Sequence, residues 1–215
     1  EANALADAAQ RDSLYCFPNK LEDILALEYA ITHNPGDARA PYYLGCLWYD
    51  KRQYDKAAAM WERSATLDPA FPTVWRNLSL AAYNKQGDAI KARKYMERAY
   101  ALDPADARVL LELDQLYRKL HMPIAERFAF LDSHREVVFL RDDLTVEYCT
   151  LLNDLGRYEE ALAIITARKF HPWEGGEGKV TTQYAVALTQ LARRALESGD
   201  AAQAKALLER ALVFP

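Results

Sequence analysis

Apolar side chains recur every three or four residues along most of this chain, and short polar joints interrupt them. Between residues 42 and 48 the apolar positions form one helical stripe, and between 57 and 65 they form a second. The polar segment 50–53 separates the two stripes. The apolar–polar alternation of a half-buried strand is absent from the sequence. The pattern therefore predicts an all-α chain built from pairs of helices.

Prolines mark the ends of three of these helical segments. Asn34-Pro35, Asp68-Pro69 and Asp103-Pro104 each follow an apolar-periodic stretch, and the prolines lie 34 and 35 residues apart. Proline ends a helix because its ring and its missing N–H cannot continue the hydrogen-bond ladder. A period near 34 residues is typical of stacked antiparallel helix pairs.

Two of these units resemble tetratricopeptide repeats in the order of their small, large and terminal residues. In the first unit the matching positions are Leu44, Gly45, Trp48, Ala57, Trp61 and Pro69, with Ser64 in place of an alanine. In the second they are Trp75, Leu78, Ala92, Met96, Ala99 and Pro104, with Ser79 at the small position. The resemblance implies a right-handed superhelical solenoid whose first helices line a concave face.

Three phrases carry a more specific resemblance. Residues 15–19, 37–45 and 171–179 are similar to the C-terminal repeat region of a group of bacterial proteins of unknown function. Those proteins carry an N-terminal β-rich domain that resembles sugar-mutarotase sandwiches. The resemblance implies that this chain is a fragment of a longer protein, an expectation that fits its start at Glu1 without a methionine.

We expect a single solenoid over residues 1–215, with one irregular unit in its middle. In that unit Asp114 occupies the position where a small residue is expected, and no proline ends the unit. Within the first pair, the pattern predicts one helix over residues 4–15. The expected parts are an N-terminal helix pair (1–35), two well-formed repeats (39–104), a degenerate repeat (105–141), a further repeat (142–169), a Gly-rich loop (170–178) and a C-terminal helix pair (179–215).

Charge and hydropathy narrow the classes of partner. The chain has 27 Lys and Arg residues against 31 Asp and Glu residues, a formal net charge of −4. This balance argues against a general attraction to nucleic acid or to anionic membranes. The uncharged stretch 180–192 is too short to span a bilayer. With no secretory leader visible, we expect a cytoplasmic protein.

Catalytic and metal-binding motifs are missing from the sequence. Its three cysteines form no C-x-x-C pair, so we interpret them as buried free thiols. Its four histidines are far apart, and neither a helical H-E-x-x-H nor a G-x-S-x-G is present. The segment 175–179 imitates the end of a phosphate loop, but Trp173 and Val180 stand where that motif requires Gly and Ser or Thr. We predict no metal, no cofactor and no catalytic activity.

The best candidate site is the concave face that the resemblance implies. We predict that this chain is a non-catalytic module that binds a peptide or a partner domain on this face. An anionic peptide near Arg76, Arg108 and Arg118 is one possible ligand. Trp173 is a candidate contact in its loop. The alternative is a structural arm that packs on a β-domain missing from this chain. The predicted partner-binding residues are Tyr42, Tyr49, Arg76, Asn77, Tyr83, Arg108, Gln115, Arg118, Glu147 and Arg193.

Overall fold

The computed structural model describes residues 2–11 and 16–213, which contain thirteen α-helices and no β-strand. The predicted all-α fold of helix pairs is thereby confirmed. The chain divides into two compact units, residues 1–104 and 105–215.

The first unit contains six α-helices within its described residues, and a π-helix over Ala82–Gln86 extends the fifth. The predicted helix over 4–15 is shorter here, and its last four positions, 12–15, lie outside the described residues. Pro72 is the first residue of one helix, where a backbone N–H would have no partner within the helix, so proline costs no hydrogen bond there. The helices are α1 (Ala2–Ala9), α2 (Leu21–His33), α3 (Arg39–Asp50), α4 (Tyr54–Leu67), α5 (Pro72–Ala81) and α6 (Ala89–Leu102).

The second unit contains seven α-helices among its described residues. Asp106 and Asp200 cap two of them by accepting hydrogen bonds from backbone N–H groups of the first turn. The helices are α7 (Ala107–Lys119), α8 (Ile124–Asp132), α9 (Arg135–Val138), α10 (Asp142–Asp154), α11 (Tyr158–Thr166), α12 (Lys179–Glu197) and α13 (Ala201–Ala211).

Five joints between paired helices contain one residue with a left-handed backbone. The sequence predicts this conformation for Gly87, whose φ is +68°. The first four of the joint residues are 34 or 35 residues apart, so the backbone repeats the period of the sequence. The five residues are Arg52, Gly87, His121, Gly156 and Gly199.

In the first unit, small side chains sit where the two helices of a pair cross. Gly45 of α3 lies against Trp61 of α4, and a Cβ added to the glycine would come within 2.5 Å of the indole ring. The Ser79 hydroxyl of α5 donates a 2.7 Å hydrogen bond to the carbonyl of Ala92 in α6. Both crossings are therefore packed closely with little or no side chain between the backbones.

The second unit replaces the small residue at this crossing with a buried ion pair. Asp114 of α7 accepts two hydrogen bonds from Arg127 of α8, at 3.0 and 2.6 Å. Arg127 also donates to Glu147 of α10 at 2.8 Å. Burial raises the pKa of Asp114, and the hydrogen bonds from Arg127 oppose that rise. The unexpected carboxylate is thus accommodated because an arginine from the facing helix satisfies both of its oxygens.

Candidate functional site

Two of the predicted tyrosines in the first unit are half-buried against its core. The Tyr42 ring meets Phe71 edge-on at a centroid distance of 4.8 Å, and Tyr49 lies 5.4 Å from Trp61. Burial, and then the neighbouring Cys46, raise the pKa of Tyr42, which keeps its hydroxyl neutral. These rings contribute to core packing as well as to the surface.

A short polar chain joins three side chains of α3 and α5. The Asn77 amide donates to the sulfur of Cys46 at 3.7 Å, and Arg76 donates to the Asn77 oxygen at 3.3 Å. Tyr83 belongs to the π-helix that follows α5. The structure therefore brings Tyr42, Arg76 and Asn77 into one neighbourhood around Cys46.

The predicted arginines of the second unit have intramolecular partners. Arg108 forms an ion pair with Glu112 at 3.3 Å, and Arg118 forms one with Glu147 at 3.0 Å. Arg193 pairs with Glu197 at 3.1 Å on an exposed part of α12. An anionic ligand at Arg108 or Arg118 would have to compete with these carboxylates.

A polar pocket of 350 Å³ forms in the second unit between α7, α10 and α12. It unites four predicted residues, Gln115, Arg118, Glu147 and Trp173, whereas Arg108 and Arg193 do not line it. Its complete lining is Leu111, Gln115, Arg118, Asp143, Val146, Glu147, Thr150, Trp173, Glu174, Lys179 and Gln183.

Two charged side chains of this pocket, those of Glu174 and Lys179, form no hydrogen bond or ion pair with the described residues and are exposed. By contrast, Asp143 is held by Arg141 through two hydrogen bonds of 3.0 and 2.7 Å. The two unpaired charges have opposite signs. The pocket can therefore meet a ligand charge of either sign without breaking an existing ion pair.

Sequence reasoning missed Lys179 and Gln183, which come from the first half of α12. Gln183 is fixed by Asn153, whose buried amide donates to its backbone and side-chain oxygens at 3.0 and 2.9 Å. Counting repeats pointed to residues near 190 instead, because the Gly-rich loop adds residues between α11 and α12. One feature of the sequence could have indicated this part of the pocket, namely Lys179 at the end of the segment 175–179 that resembles a phosphate loop.

The Trp173 loop, residues 170–178, is anchored at its start by one carboxylate. Asp142 accepts hydrogen bonds from Arg168 at 2.5 Å and from the backbone N–H of His171 at 2.8 Å. Its second interaction with His171 is through the ring Nδ1 at 3.0 Å. Partial burial opposes ionisation of Asp142, but the bonds from His171 and the charge of Arg168 outweigh it and lower its pKa.

Two of the three cysteines, Cys46 and Cys149, do not have the properties of reactive nucleophiles, because burial raises the pKa of both thiols. Cys46 is half-buried, and burial raises the pKa of Cys149 to about 12. Cys16 is exposed, so the prediction that all three thiols are buried was wrong for this residue. Among the described residues, no group of three or more His, Cys, Asp or Glu side chains is arranged to hold a metal ion. No helix in the described part of the chain combines the length and apolar character needed to cross a membrane.

Comparison with known proteins shows which fold this chain shares. Residues 77–106 match the family model of the tetratricopeptide repeat. The crystal structure of YrrB, a TPR protein with an unusual peptide-binding site, is similar over 87% of this chain and 91% of that one, at 18% identity and a TM-score of 0.61. PilF of Pseudomonas aeruginosa is similar over 85% and 78%, at 17% identity and a TM-score of 0.57. These likenesses show the tetratricopeptide-repeat fold, a helical-repeat solenoid.

Proposed function

We propose that this chain is a non-catalytic interaction module whose polar pocket binds an extended peptide segment of a partner protein. The single observation that carries the proposal is the composition of that pocket. Gln115 offers an amide donor and an acceptor, and Gln183, whose oxygen accepts from Asn153, offers its amide N–H groups. The Thr150 hydroxyl donates to the Val146 carbonyl at 2.9 Å and offers an acceptor, so the pocket provides both kinds of group that a peptide main chain requires. The peptide-binding site of the structural neighbour YrrB supports the same class of function.

Side-chain selectivity would come from the two unpaired charges. Glu174 and Lys179 lie on the pocket wall, and neither has a partner to displace among the residues that the structure describes. A cationic and an anionic residue of the ligand can each find a counter-charge, whereas a buried pair such as Asp114–Arg127 would have to be broken first. In the first unit, Tyr42, Tyr49, Arg76, Asn77 and Tyr83 are proposed as further contacts, as the sequence predicts. A cytoplasmic location and an absence of nucleic-acid binding remain predictions.

The test is a selection of peptides from a random display library on this chain, followed by calorimetry with the synthetic peptides. Gln115→Ala with Lys179→Ala should remove two hydrogen bonds, about 2 kcal/mol or roughly 30-fold in affinity. The matched control is Lys94→Ala with Gln203→Ala, two exposed residues outside the pocket. Equal loss in both double variants, or none in either, would contradict the proposed site.

A structural arm is the second candidate, and one observation favours it. Leu21 and Leu25 lie one turn apart on α2 and are 69% and 71% exposed, and nearby Phe17 is 77% exposed. A stripe of this kind is typical of a helix face that another element covers. We propose a preceding β-domain, resembling a mutarotase sandwich, as its cover. Hydrogen exchange in residues 21–33 should slow when the upstream coding region is included, and an unchanged rate would count against the arm.

A further inference from the structure

Trp173 also lines a second cavity, which is mainly apolar, unlike the polar pocket. Its volume is 770 Å³, within the range of small-ligand sites. Ile165, Phe170, Pro172, Trp173 and Val180 supply apolar walls. The polar side chains among its lining residues are those of Thr166, Arg168, Lys169, His171, Glu177 and Thr181.

The charged side chains of this apolar cavity are either engaged within the protein or exposed to solvent. Arg168 is committed to Asp142, to the carbonyl of Phe139 at 3.2 Å and to the hydroxyl of Thr145 at 2.9 Å. Of the remaining charged residues, Lys169 and Glu177 have opposite signs, are exposed and form no ion pair with the described residues. Because Lys169 and Glu177 are exposed to solvent, the surface that a ligand would meet inside the cavity consists mainly of the apolar side chains, and a neutral apolar group matches that surface.

The cavity is also formed in advance. Asp142 fixes the loop at Arg168 and His171, and Trp173 packs over Gly176, where an added Cβ would come within 2.3 Å of the ring. Because the walls are already held, a ligand would not have to order the loop on binding. Trp173 lines both this cavity and the polar pocket, so a chain that crosses it can contact both.

From these observations we infer that the apolar cavity binds a neutral aromatic or branched aliphatic side chain of the same peptide whose main chain occupies the polar pocket. The inference rests on the proposed function and adds its anchor residue. The ligand class is therefore an extended peptide with a large apolar residue beside the segment that the polar pocket holds. Burying such a side chain is the largest single contribution that one residue of a peptide can make here.

The experiment measures the cavity without the polar pocket. Blocked amino acids, the N-acetyl amides of Leu and Phe, are titrated into the chain while the indole N–H resonances are recorded by NMR. The Trp173 resonance is assigned as the one that Trp173→Phe removes, and the other three tryptophans, Trp48, Trp61 and Trp75, belong to the first unit and serve as internal references. We expect a saturable shift of the Trp173 resonance, with an affinity about tenfold or more above that of the N-acetyl amides of Gly, Asp and Lys.

Two variants and one direct measurement make the result specific. Val180→Phe fills the cavity and should weaken the Leu probe at least about tenfold. Leu140→Ala, an exposed apolar residue of the same unit outside the cavity, should leave it unchanged. Cross-relaxation between the Leu-probe methyls and the Trp173 indole, measured in the unaltered chain, does not depend on the folding of any variant.

The outcomes separate this inference from the proposed function. Equal binding of apolar and charged probes, or no cross-relaxation with Trp173, would overturn the apolar anchor. Gln115→Ala should not affect the Leu probe, since that residue lies in the polar pocket. If the probe binds but no library peptide depends on Gln115 and Lys179, the cavity stands as a site and the peptide proposal fails. If library peptides bind through Gln115 and Lys179 but the probes do not bind, the peptide proposal stands and the apolar anchor fails.

Discussion

The two units solve the same packing problem with different chemistry. Where paired helices cross, the first unit places Gly45 against Trp61 and Ser79 against a backbone carbonyl. The second unit places Asp114 at the position 35 residues after Ser79 and pairs it with Arg127. The first unit depends on small side chains at the crossing, and the second depends on two opposite charges that are both buried. The comparison teaches that the helix-pair backbone tolerates either, provided that the facing helix supplies the complement.

The largest expected effect comes from breaking the ion pair on one side. Arg127→Leu leaves the Asp114 carboxylate fully buried without its two hydrogen bonds. We expect a loss of about 3–5 kcal/mol in the free energy of unfolding of the second unit. Urea denaturation followed by Trp173 fluorescence in a chain whose other tryptophans are phenylalanine would measure it.

Two further variants sharpen this test. Arg193→Leu removes an exposed ion pair with Glu197 and should cost at most about 0.5 kcal/mol. Asp114→Ala combined with Arg127→Leu recreates a small residue at the crossing and should recover most of the stability, since Glu147 keeps Arg118. A double variant as unstable as Arg127→Leu alone would show that the charges are not what the crossing requires.

The next effect tests the first unit in the opposite way, by adding an atom. Gly45→Ala puts a methyl group within 2.5 Å of Trp61, whose indole N–H donates to the carbonyl of Tyr42 at 3.2 Å. We expect a cost of about 1–3 kcal/mol from overpacking, seen as a lower midpoint of thermal unfolding. Gly36→Ala is the control, because nothing lies within 4 Å of its added Cβ. Similar losses in the two variants would argue against a steric cause.

A third effect concerns acid, and it separates the units because the anchor of the Trp173 loop belongs to the second. The pKa of Asp142 is lowered in the folded state, so its stabilising contribution is present above the ordinary Asp value of about 4 and is lost as the pH falls through the folded value. The protection of the backbone amides of residues 168–178, which is their exchange relative to the intrinsic rate at the same pH, should therefore fall below about pH 4.

Asp142→Asn should lower that protection already at neutral pH and remove its further loss in acid. The amide cannot provide the negative charge that holds Arg168, although its oxygen can still accept from His171. Exchange in α3, which contains no part of this anchor, serves as the internal reference. An Asp142→Asn chain that keeps the acid response of the original would assign the response to other carboxylates.

The sequence predicted the helix-pair fold because the information is local. Prolines, joint residues and the apolar period all act within one unit of about 34 residues. The Asp114–Arg127 pair was not predicted, because its partner lies on the facing helix and nothing near Asp114 specifies it. Nothing near Asp142 in the sequence indicates its main contacts, which are 26 and 29 residues away, with Arg168 and His171.

The candidate site shows the same limit. Gln115, Arg118 and Glu147 were predicted because they lie in regular repeats, and the structure places them in one pocket. Lys179 and Gln183 were missed, and Arg193 was chosen instead. The inserted loop shifts the repeat register of every later residue, and the sequence does not show at which residue the next repeat begins. The packing of the Trp173 ring over Gly176 is likewise a property of the folded loop.

The smallest expected effect concerns the joints between paired helices, where the two units have the same backbone conformation. Arg52 and His121 occupy equivalent joints with φ of +59° and +58°, whereas Gly87 and Gly156 occupy the neighbouring ones. A side chain in this region is strained by about 1 kcal/mol, and glycine relieves the strain while it adds entropy to the unfolded chain. Since the two effects oppose each other, Arg52→Gly and His121→Gly should each stabilise the chain by at most about 0.5 kcal/mol, measured by urea denaturation. Because the joint backbone is the same in both units, equal gains are expected. A gain at one joint and a loss at the other would mean that Arg52 or His121 forms a contact that outweighs its strain.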